Sequence, residues 1–454
     1  MAGSSYKLQT DLIPKAVWQT IKALEKEGFG AYLVGGSVRD LLLGRQPHDY
    51  DIATSARPEN VQEVFQANKL IPTGLKFGSQ SLILPDLVLE ITSYRTESSY
   101  SDRRRPDKVT FTHKIEDDLA RRDFTINALA YNPKKGLVDP FSGLRDLKAK
   151  TIRTVGLADQ RFAEDPLRIL RGLRFASVLD FKIENRTGSA ILTNYHLFDT
   201  VAGERINQEL RKLLLGPGVK NILLDFSPVF CQLIPELESC LNFNQHSPYH
   251  TYDVYRHTVE VLTHTPVELD LRLAALFHDI SKPLHFNLDE AGQGHFYGHA
   301  KTSAEIATRR LRQLRFEKDL IKQVALYIRY HDGPLPEDRR LLKRRLAKLG
   351  PEVLFKLIDL QKADCLGQAQ WLQADRLEKL DRIQNLAREI MDEQPPLAVK
   401  DLAVNGYDAL DLDLQDRLIG QALRFLLEQV VDGQLKNQRP DLLAALARFA
   451  ADHS

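Results

Sequence analysis

Two styles of apolar spacing divide the chain. Over residues 1–150, short apolar runs of strand length alternate with helical stretches. "AYLVGG" (31–36), "DYDIAT" (49–54), "SLILP" (81–85) and "LVLEITSY" (87–94) read as strands, and "SVRDLLLG" (37–44) as a helix with Ser37 at its N-cap. From about residue 160, apolar residues recur at helical 3–4 spacing. "DPLRILRGLRFASVL" (165–179) interleaves Arg168, Arg171 and Arg174, and "ERINQELRKLLL", "YRHTVEVLTH", "LRLAALFHDISK" and "HAKTSAEIATRRLRQL" continue the pattern. Breaks at "GPG" (216–218), "HSP" (246–248) and "QPP" (394–396) mark joints. The pattern predicts an α+β head over 1–150 and an all-α remainder: a neck over 151–215, a body over 216–390 and a tail over 391–454.

Composition narrows the picture. At 454 residues the chain needs more than one core, and 27% charged with 43% apolar residues is an ordinary globular balance. A net charge of +1 excludes a global field for polyanions. Nucleic-acid contacts must come from local clusters such as Arg309-Arg310, Arg339-Arg340 and Lys343-Arg344-Arg345, each of which also reads as a solvated helix face. Cys231, Cys240 and Cys365 have no paired spacing, which fits a reducing compartment. The opening residues lack an apolar leader core, and no run reaches about 18 apolar residues, so a cytoplasmic location without membrane contact is expected. Nothing in the pattern separates a monomer from a homodimer.

Chemistry enters at "HDYDIATS" (48–55). Asp49 and Asp51 are two apart at the start of a strand and so present two carboxylates to one face. Alone, the pair reads as a polar turn. Gly35-Gly36 at a strand-to-helix junction lets a triphosphate approach backbone N–H groups, with Arg39 and Asp40 on the next turn. Glu90 lies on an apolar strand, where an unpaired charge is costly. Together these groups can hold two metal ions, one serving an attacking hydroxyl and one the phosphates. No G-x-x-x-x-G-K-[ST] run is present, against a P-loop.

"LVGGSVRDLLLGRQPHDYDIAT" (33–54), "RRDFTINALAYNP" (121–133), "DPFSGLRDL" (139–147) and "EDPLRILRGLRFA" (164–176) occur in that order. They resemble the ordered motifs of class II tRNA nucleotidyltransferases, the CCA-adding enzymes and their poly(A) polymerase relatives; "GERINQEL" (203–210) is similar to the fifth motif. The resemblance implies a polymerase-β-like nucleotidyltransferase head followed by helical neck, body and tail. It assigns Asp49, Asp51 and Glu90 to catalysis, with Mg²⁺ on Asp49 and Asp51, and places the triphosphate on Gly35, Gly36 and Arg39. Arg122 and Asp123 would contact the incoming nucleotide, Asp123 through the ribose. Glu164, Asp165 and Arg168 would form the protein template that reads the base, with Arg171 and Arg174 beside them. If Asp165 and Arg168 share a helix, they are neighbours at i, i+3. Their carboxylate and guanidinium match the exocyclic amine and ring acceptors of C and A. Segment 94–123, basic through Arg103, Arg104 and Arg105, corresponds to a flexible loop linked in the family to the switch from C to A. The implied activity is addition of CCA to tRNA from CTP and ATP. Rival readings are an A-adding enzyme, a poly(A) polymerase, and an HD-domain phosphohydrolase with an RNA-binding head.

The body carries its own series: His257, His278-Asp279, His299, His331 and Asp364. It resembles HD-domain phosphohydrolases, which implies His257, His278, Asp279 and Asp364 as metal ligands. His299 and His331 would be further ligands or phosphate contacts, and Lys282 would steady a phosphate. Imidazole with carboxylate suits Mn²⁺, Ni²⁺, Fe²⁺ or Zn²⁺. His250 falls outside the series. "LAVNGYDALDL" (402–412) and "IGQALRFLLEQVVDGQLKN" (419–437) resemble the tail elements of the bacterial enzymes, implying tRNA binding there. "DRLIG" (416–420) departs from the Gly-Pro often found at that point.

Overall fold

The computed structural model describes residues 8–98, 100–415 and 417–453. The first residues of the leader reading and Asp416 of "DRLIG" lie outside them. The chain divides after Pro235 into two compact units.

The first unit is built on strands β1 (Ala31–Val34), β2 (Tyr50–Thr54), β3 (Lys69–Gly74), β4 (Ser79–Leu84), β5 (Leu87–Ser93), β6 (Arg95–Ser98), β7 (Lys108–Phe111), β8 (Ala130–Asn132) and β9 (Gly136–Val138). Seven form one sheet in the order β3-β4-β5-β2-β1-β8-β9. Only β2 and β5 run parallel in it, so the sheet is mixed. Tyr32, Val34, Ala53, Tyr94, Ile115, Leu119 and Ala130 share a core, and β1, buried along its length, lies near the sheet's centre. The register sets Val34 against Asp51 and Asp51 against Glu90, which brings the first aspartate strand beside the third carboxylate.

Three sequence expectations change here. Glu90 is exposed: Leu89, Ile91 and Ser93 face inward, while Val88 and Glu90 face out, as a period of two requires. The desolvation argument for Glu90 therefore does not apply. Ser37 is not the N-cap of the helix Gly36–Leu42. Gly35 turns the chain at φ 74°, ψ −137°, and Ser37 is a buried first-turn residue whose hydroxyl donates to Val34 O (2.8 Å). Segment 94–123 contains the β6–β7 hairpin and the helix Ile115–Ala120. Glu97 anchors it by accepting from Arg95 Nε (2.7 Å), Arg121 Nη1 (3.3 Å) and the Tyr100 hydroxyl. Arg103, Arg104 and Arg105 are exposed in the connection between the two strands.

The neck helices Ala158–Glu164, Leu167–Leu179 and Gly203–Leu214 follow, the last two packed together. In the second unit, helix Leu269–Phe277 is buried from Leu271 to Phe277. Helices Val254–His264, His299–Gln313, Lys318–Tyr330 and Pro351–Leu366 pack around it. A short hairpin, Asn287–Leu288 with Gly294–His295, interrupts the predicted all-α run. Its turn forms because Asp289 Oδ1 accepts from the N–H groups of Ala291 (3.0 Å) and Gln293 (2.8 Å). Helices Arg417–Val431 and Arg439–Asp452 enclose a C-terminal core that includes Leu426, Leu442 and Leu446.

Candidate active site and metal centre

In the first unit, Asp49 is exposed just before β2, Asp51 is partly buried on β2, and Glu90 stands opposite Asp51 on β5. Burial, together with the Glu90 and Asp49 carboxylates, pushes the Asp51 carboxyl above its ordinary range; Arg122 opposes this. Glu90 Oε1 accepts from Thr73 Oγ1 (3.1 Å).

The space over Gly35 shows what converges there. A Cβ on Gly35 would lie 2.7 Å from Arg122 Nη1 and 3.7 Å from Asp51 Oδ2, and one on Gly36 would lie 3.5 Å from Arg39 Nη2. The glycine backbone is thus flanked by two guanidiniums and one carboxylate. Arg39 is held in place, donating from Nε to Asp40 Oδ1 (2.9 Å) and from Nη1 to Asn127 Oδ1 (2.8 Å). Arg122 Nη2 lies 3.4 Å from Asp118 Oδ2, while its buried Nε makes no hydrogen bond among the described residues. Burial raises the Asp118 carboxyl, but Arg121 and Arg122 outweigh it and keep the group ionised.

The neck supplies a ladder of ion pairs. Asp123 is buried and accepts from Arg171 Nε (2.9 Å) and Nη2 (2.6 Å), from Phe124 N (2.8 Å) and from Asn127 Nδ2 (3.2 Å). Burial would raise its pKa, but Arg171 holds it well below the usual carboxylate range. Arg174 Nε donates to Glu209 Oε2 (2.7 Å) and lies over the Phe175 ring. Asp165 and Arg168 are not the i, i+3 helix pair the spacing suggested. Pro166 disfavours helical backbone at Asp165, which is extended (φ −147°) between two helices. Asp165 instead binds Arg205 Nη2 (2.7 Å), and Arg168 Nη1 binds Glu164 Oε2 (2.5 Å). Sequence reasoning missed Arg205, Glu209, Asn127 and Asp118. The i, i+4 spacing of Arg205 and Glu209 on one amphipathic helix was the available signal.

In the second unit, His257, His278, Asp279 and Asp364 come together, and Asp279 also meets His299 and His331. The four rings share one device. The Nδ1 of His278, His299 and His331 donates to the carbonyl three residues back, on Ala275 (2.7 Å), Phe296 (2.8 Å) and Ile328 (2.7 Å). His257 Nδ1 donates to Gly367 O (3.1 Å). These bonds turn every Nε2 inward. His278 Nε2 and His257 Nε2 lie 3.1 and 3.4 Å from Asp279 Oδ2, and His299 and His331 Nε2 lie 3.2 and 3.5 Å from Oδ1. His257 Nε2 also meets Asp364 Oδ1 at 3.0 Å. Burial would lower the His257 pKa, but the Asp279 and Asp364 carboxylates push it up to about 9. Lys282, expected to steady a phosphate, is buried and spends its ammonium on Asp279 Oδ2 (2.7 Å) and Gln245 Oε1 (2.9 Å). A cavity of about 410 Å³ opens on this cluster, lined also by His250, Gln368 and Arg376.

The body cluster fits a cation. In the head, Glu90 stands opposite Asp51 beside a glycine cradle that a Cβ would fill, but the described residues do not gather Asp49, Asp51 and Glu90 into a group whose ligand atoms lie within 4.8 Å of one another. In the body, His299 Nε2 is buried without a hydrogen bond among the described residues and aims at a carboxylate. His257 and His278 Nε2 face each other at 3.4 Å, a contact that only a proton or a cation between them satisfies.

Residues 31–153 match the family model described as the poly A polymerase head domain, 180–241 the "Probable RNA and SrmB- binding site of polymerase A", and 249–367 the HD domain. A CCA-adding enzyme of Lactobacillus delbrueckii subsp. bulgaricus is 50% identical over 206 residues, 45% of this chain and 52% of the relative, so this match spans about half the relative's length. A CCA-adding enzyme of Pediococcus pentosaceus is 34% identical over 435 residues, 95% of this chain and 97% of its own. The chain belongs to the CCA-adding enzyme family. Among solved structures, the Bacillus stearothermophilus CCA-adding enzyme in complex with CTP superposes over 97% of this chain and 98% of its own, at TM-score 0.68 and 26% identity. The α+β unit is therefore the polymerase-β-like head of a class II CCA-adding enzyme, joined to an HD domain. No helix among the described residues is long and apolar enough to cross a membrane.

Proposed function

We propose that the protein is a template-independent nucleotidyltransferase that builds or repairs the 3′-terminal CCA of tRNA from CTP and ATP. The observation that carries this reading is the cradle at Gly35, where backbone, Arg122 and Asp51 meet within a few ångströms. A glycine that opens a helix beside two guanidiniums accepts a triphosphate, with Arg39 and Arg122 offsetting its charge. Asp49, Asp51 and Glu90 would hold Mg²⁺, whose charge favours a hydroxylate nucleophile and steadies the phosphates. The tRNA 3′-hydroxyl attacks the α-phosphorus, a phosphodiester bond forms, and pyrophosphate leaves. Glu164, Asp165 and Arg168 supply the acceptors and donor for the exocyclic amine and ring nitrogen of C or A. Asp165 and Arg168 exchange their partners Arg205 and Glu164 for the base. Asp123 orients Arg171 across the neck, and Arg174 is fixed by Glu209. Cys231, Cys240 and Cys365 are thiols rather than disulfides, which suits a cytoplasmic setting.

A second activity, metal-assisted phosphoester hydrolysis, is favoured by the four imidazoles fixed with Nε2 inward around Asp279. His257, His278, Asp279 and Asp364 would hold Mn²⁺, Ni²⁺, Fe²⁺ or Zn²⁺, with His299 and His331 on the far carboxylate oxygen. Suitable substrates are 2′,3′-cyclic phosphodiesters, 2′-nucleotides or simple phosphomonoesters.

Asp49→Ala with Asp51→Ala should abolish nucleotide transfer while leaving hydrolysis and bound transition metal intact. His278→Ala with Asp279→Ala should do the reverse. Loss of transfer in the second double variant would overturn the separation of the two sites.

A further inference from the structure

Two concavities adjoin at the histidine cluster of the second unit. One is the cavity of about 410 Å³ over Asp279, whose lining includes the cations Arg376 and Lys379. The other, of about 340 Å³, shares His250, His299 and Asp332 with it and extends past Tyr249 and Tyr297. Both fall in the size range of small-molecule sites. Among the described residues, none lining the second is lysine or arginine. An anion is therefore favoured on the cluster side and a neutral group on the other. His250 stands between them, and its buried Nδ1 has no hydrogen bond among the described residues.

The second concavity is rimmed by aromatic rings that are exposed yet held in place. Tyr297 is 76% exposed and Tyr249 42%. Tyr297 lies parallel to the His295 ring, with 4° between the planes and 5.4 Å between centroids, and His295 Nε2 meets Asp289 Oδ2 at 2.9 Å. Tyr249 packs against Trp371, with centroids 6.0 Å apart, and its carbonyl accepts from Ala369 N (2.9 Å). Both tyrosines are also tied to the groups that orient the histidines. Tyr297 follows Phe296, whose carbonyl holds His299 Nδ1, and Ala369 lies two residues past Gly367, whose carbonyl holds His257 Nδ1. An exposed ring fixed in this way adds little to the core, and its open face offers a flat ligand a stacking surface. A flat neutral ring joined to a phosphate is a nucleotide.

We propose that Tyr249 and Tyr297 form a nucleobase subsite beside the metal cluster, so that the cluster takes nucleotides in preference to phosphoesters without a base. The preference among substrates rests on the phosphoester hydrolysis proposed above; binding of the base does not. The chemical step is the ordinary one. For a nucleoside 2′-phosphate, a water oxygen bonds to phosphorus, the bond from phosphorus to O2′ breaks, and a water proton passes to the departing oxygen. The tyrosines act on this step only by holding the base, and through it the phosphate.

The full chain loaded with Mn²⁺ tests this, through phosphate release from 2′-AMP and from glycerol 2-phosphate, and through 2′-AMP binding by equilibrium dialysis. Wild-type protein should favour 2′-AMP in kcat/KM by about tenfold or more. Tyr249→Ala with Tyr297→Ala should raise KM and Kd for 2′-AMP roughly 5- to 150-fold, the value of stacking one base on an aromatic side chain. The same variant should shift kcat/KM for glycerol 2-phosphate less than about threefold, because that substrate has nothing to stack, and should keep its bound metal by mass spectrometry. Tyr249→Phe with Tyr297→Phe, which keeps both rings, should stay within about threefold of wild type on 2′-AMP. Equal loss on both substrates, or unaltered KM and Kd for 2′-AMP in the alanine variant, would overturn the inference. Wild-type protein that binds 2′-AMP through these tyrosines but releases phosphate from neither substrate would sink the hydrolytic reading and leave the subsite standing.

Discussion

Alanine at position 35 tests the cradle at two levels. Gly35 has φ 74° and ψ −137°, a region that residues with a Cβ avoid, and holding alanine there costs of order 1–3 kcal/mol. In a unit of this size each kcal/mol lowers Tm by about 2–4 °C, so a fall of roughly 2–12 °C is expected. The new Cβ also stands 2.7 Å from Arg122 Nη1. That atom ends a flexible side chain, so the guanidinium moves and the stability cost of the clash is small. The displaced group no longer faces the triphosphate position, however. Losing one charge-assisted hydrogen bond of about 1.5–3 kcal/mol lowers kcat/KM for CTP and ATP roughly 10- to 150-fold. Gly36 is the internal control: it has ordinary helical backbone, and its Cβ would first meet Arg39 Nη2 at 3.5 Å. Gly36→Ala should leave Tm level or slightly raised. Calorimetry and nucleotide-dependence of primer extension read both effects. A Gly35→Ala protein with wild-type Tm and kcat/KM, or a Gly36→Ala protein losing as much Tm, would refute the reasoning.

Three further outcomes follow from the ion pairs and the metal cluster. Arg171→Gln should cost about 1–3 kcal/mol near neutral pH, because it leaves the buried Asp123 carboxylate without its guanidinium. Asp123 has a folded pKa below its unfolded value near 4, so its stabilisation is present above about pH 4 and is lost as pH falls below it. The variant's Tm should accordingly drop less steeply between about pH 5 and 3; an unaltered acid limb in thermal melts would count against the pair. Arg205→Ala frees Asp165 and should raise misincorporation of UTP or GTP several-fold in single-nucleotide extension, with Tm shifted by less than the Gly35→Ala variant; unchanged selectivity would remove Arg205 from the template. His278→Ala should strip most transition metal from the full chain, measured by mass spectrometry, whereas Asp49→Ala should not; equal metal in both variants would place it elsewhere.

Four strands of the head, β1, β2, β4 and β5, were legible because apolar runs bounded by glycine and polar turns leave few other readings; β3, β6, β7, β8 and β9 were not read as strands. The side of β5 that carries Glu90 was legible too, since Leu89, Ile91 and Ser93 alternate with Val88 and Glu90. Reading "LVLEITSY" as one apolar run concealed it. Pro166 announced that Asp165 leaves the helix, which is why the i, i+3 pairing with Arg168 fails. Other features depend on tertiary placement. The partners Arg205 and Glu209 lie on a helix packed against the arginine helix, and only that packing brings them to Asp165 and Arg174. The histidines of the body were visible as a series. Their shared Nδ1 bonds, which decide where every Nε2 points, are a backbone property no spacing displays.

The central claim is the chemistry of the 3′ end, and one extension assay addresses it. The protein is incubated with tRNA ending at the discriminator base, or ending in CC, with CTP, ATP or both, and the products are resolved at single-nucleotide length. Three additions to the first substrate in the presence of both nucleotides, and one A on the second, are the predicted result. Extension of the CC-ended tRNA alone, or long A tails on unrelated RNA, would contradict it.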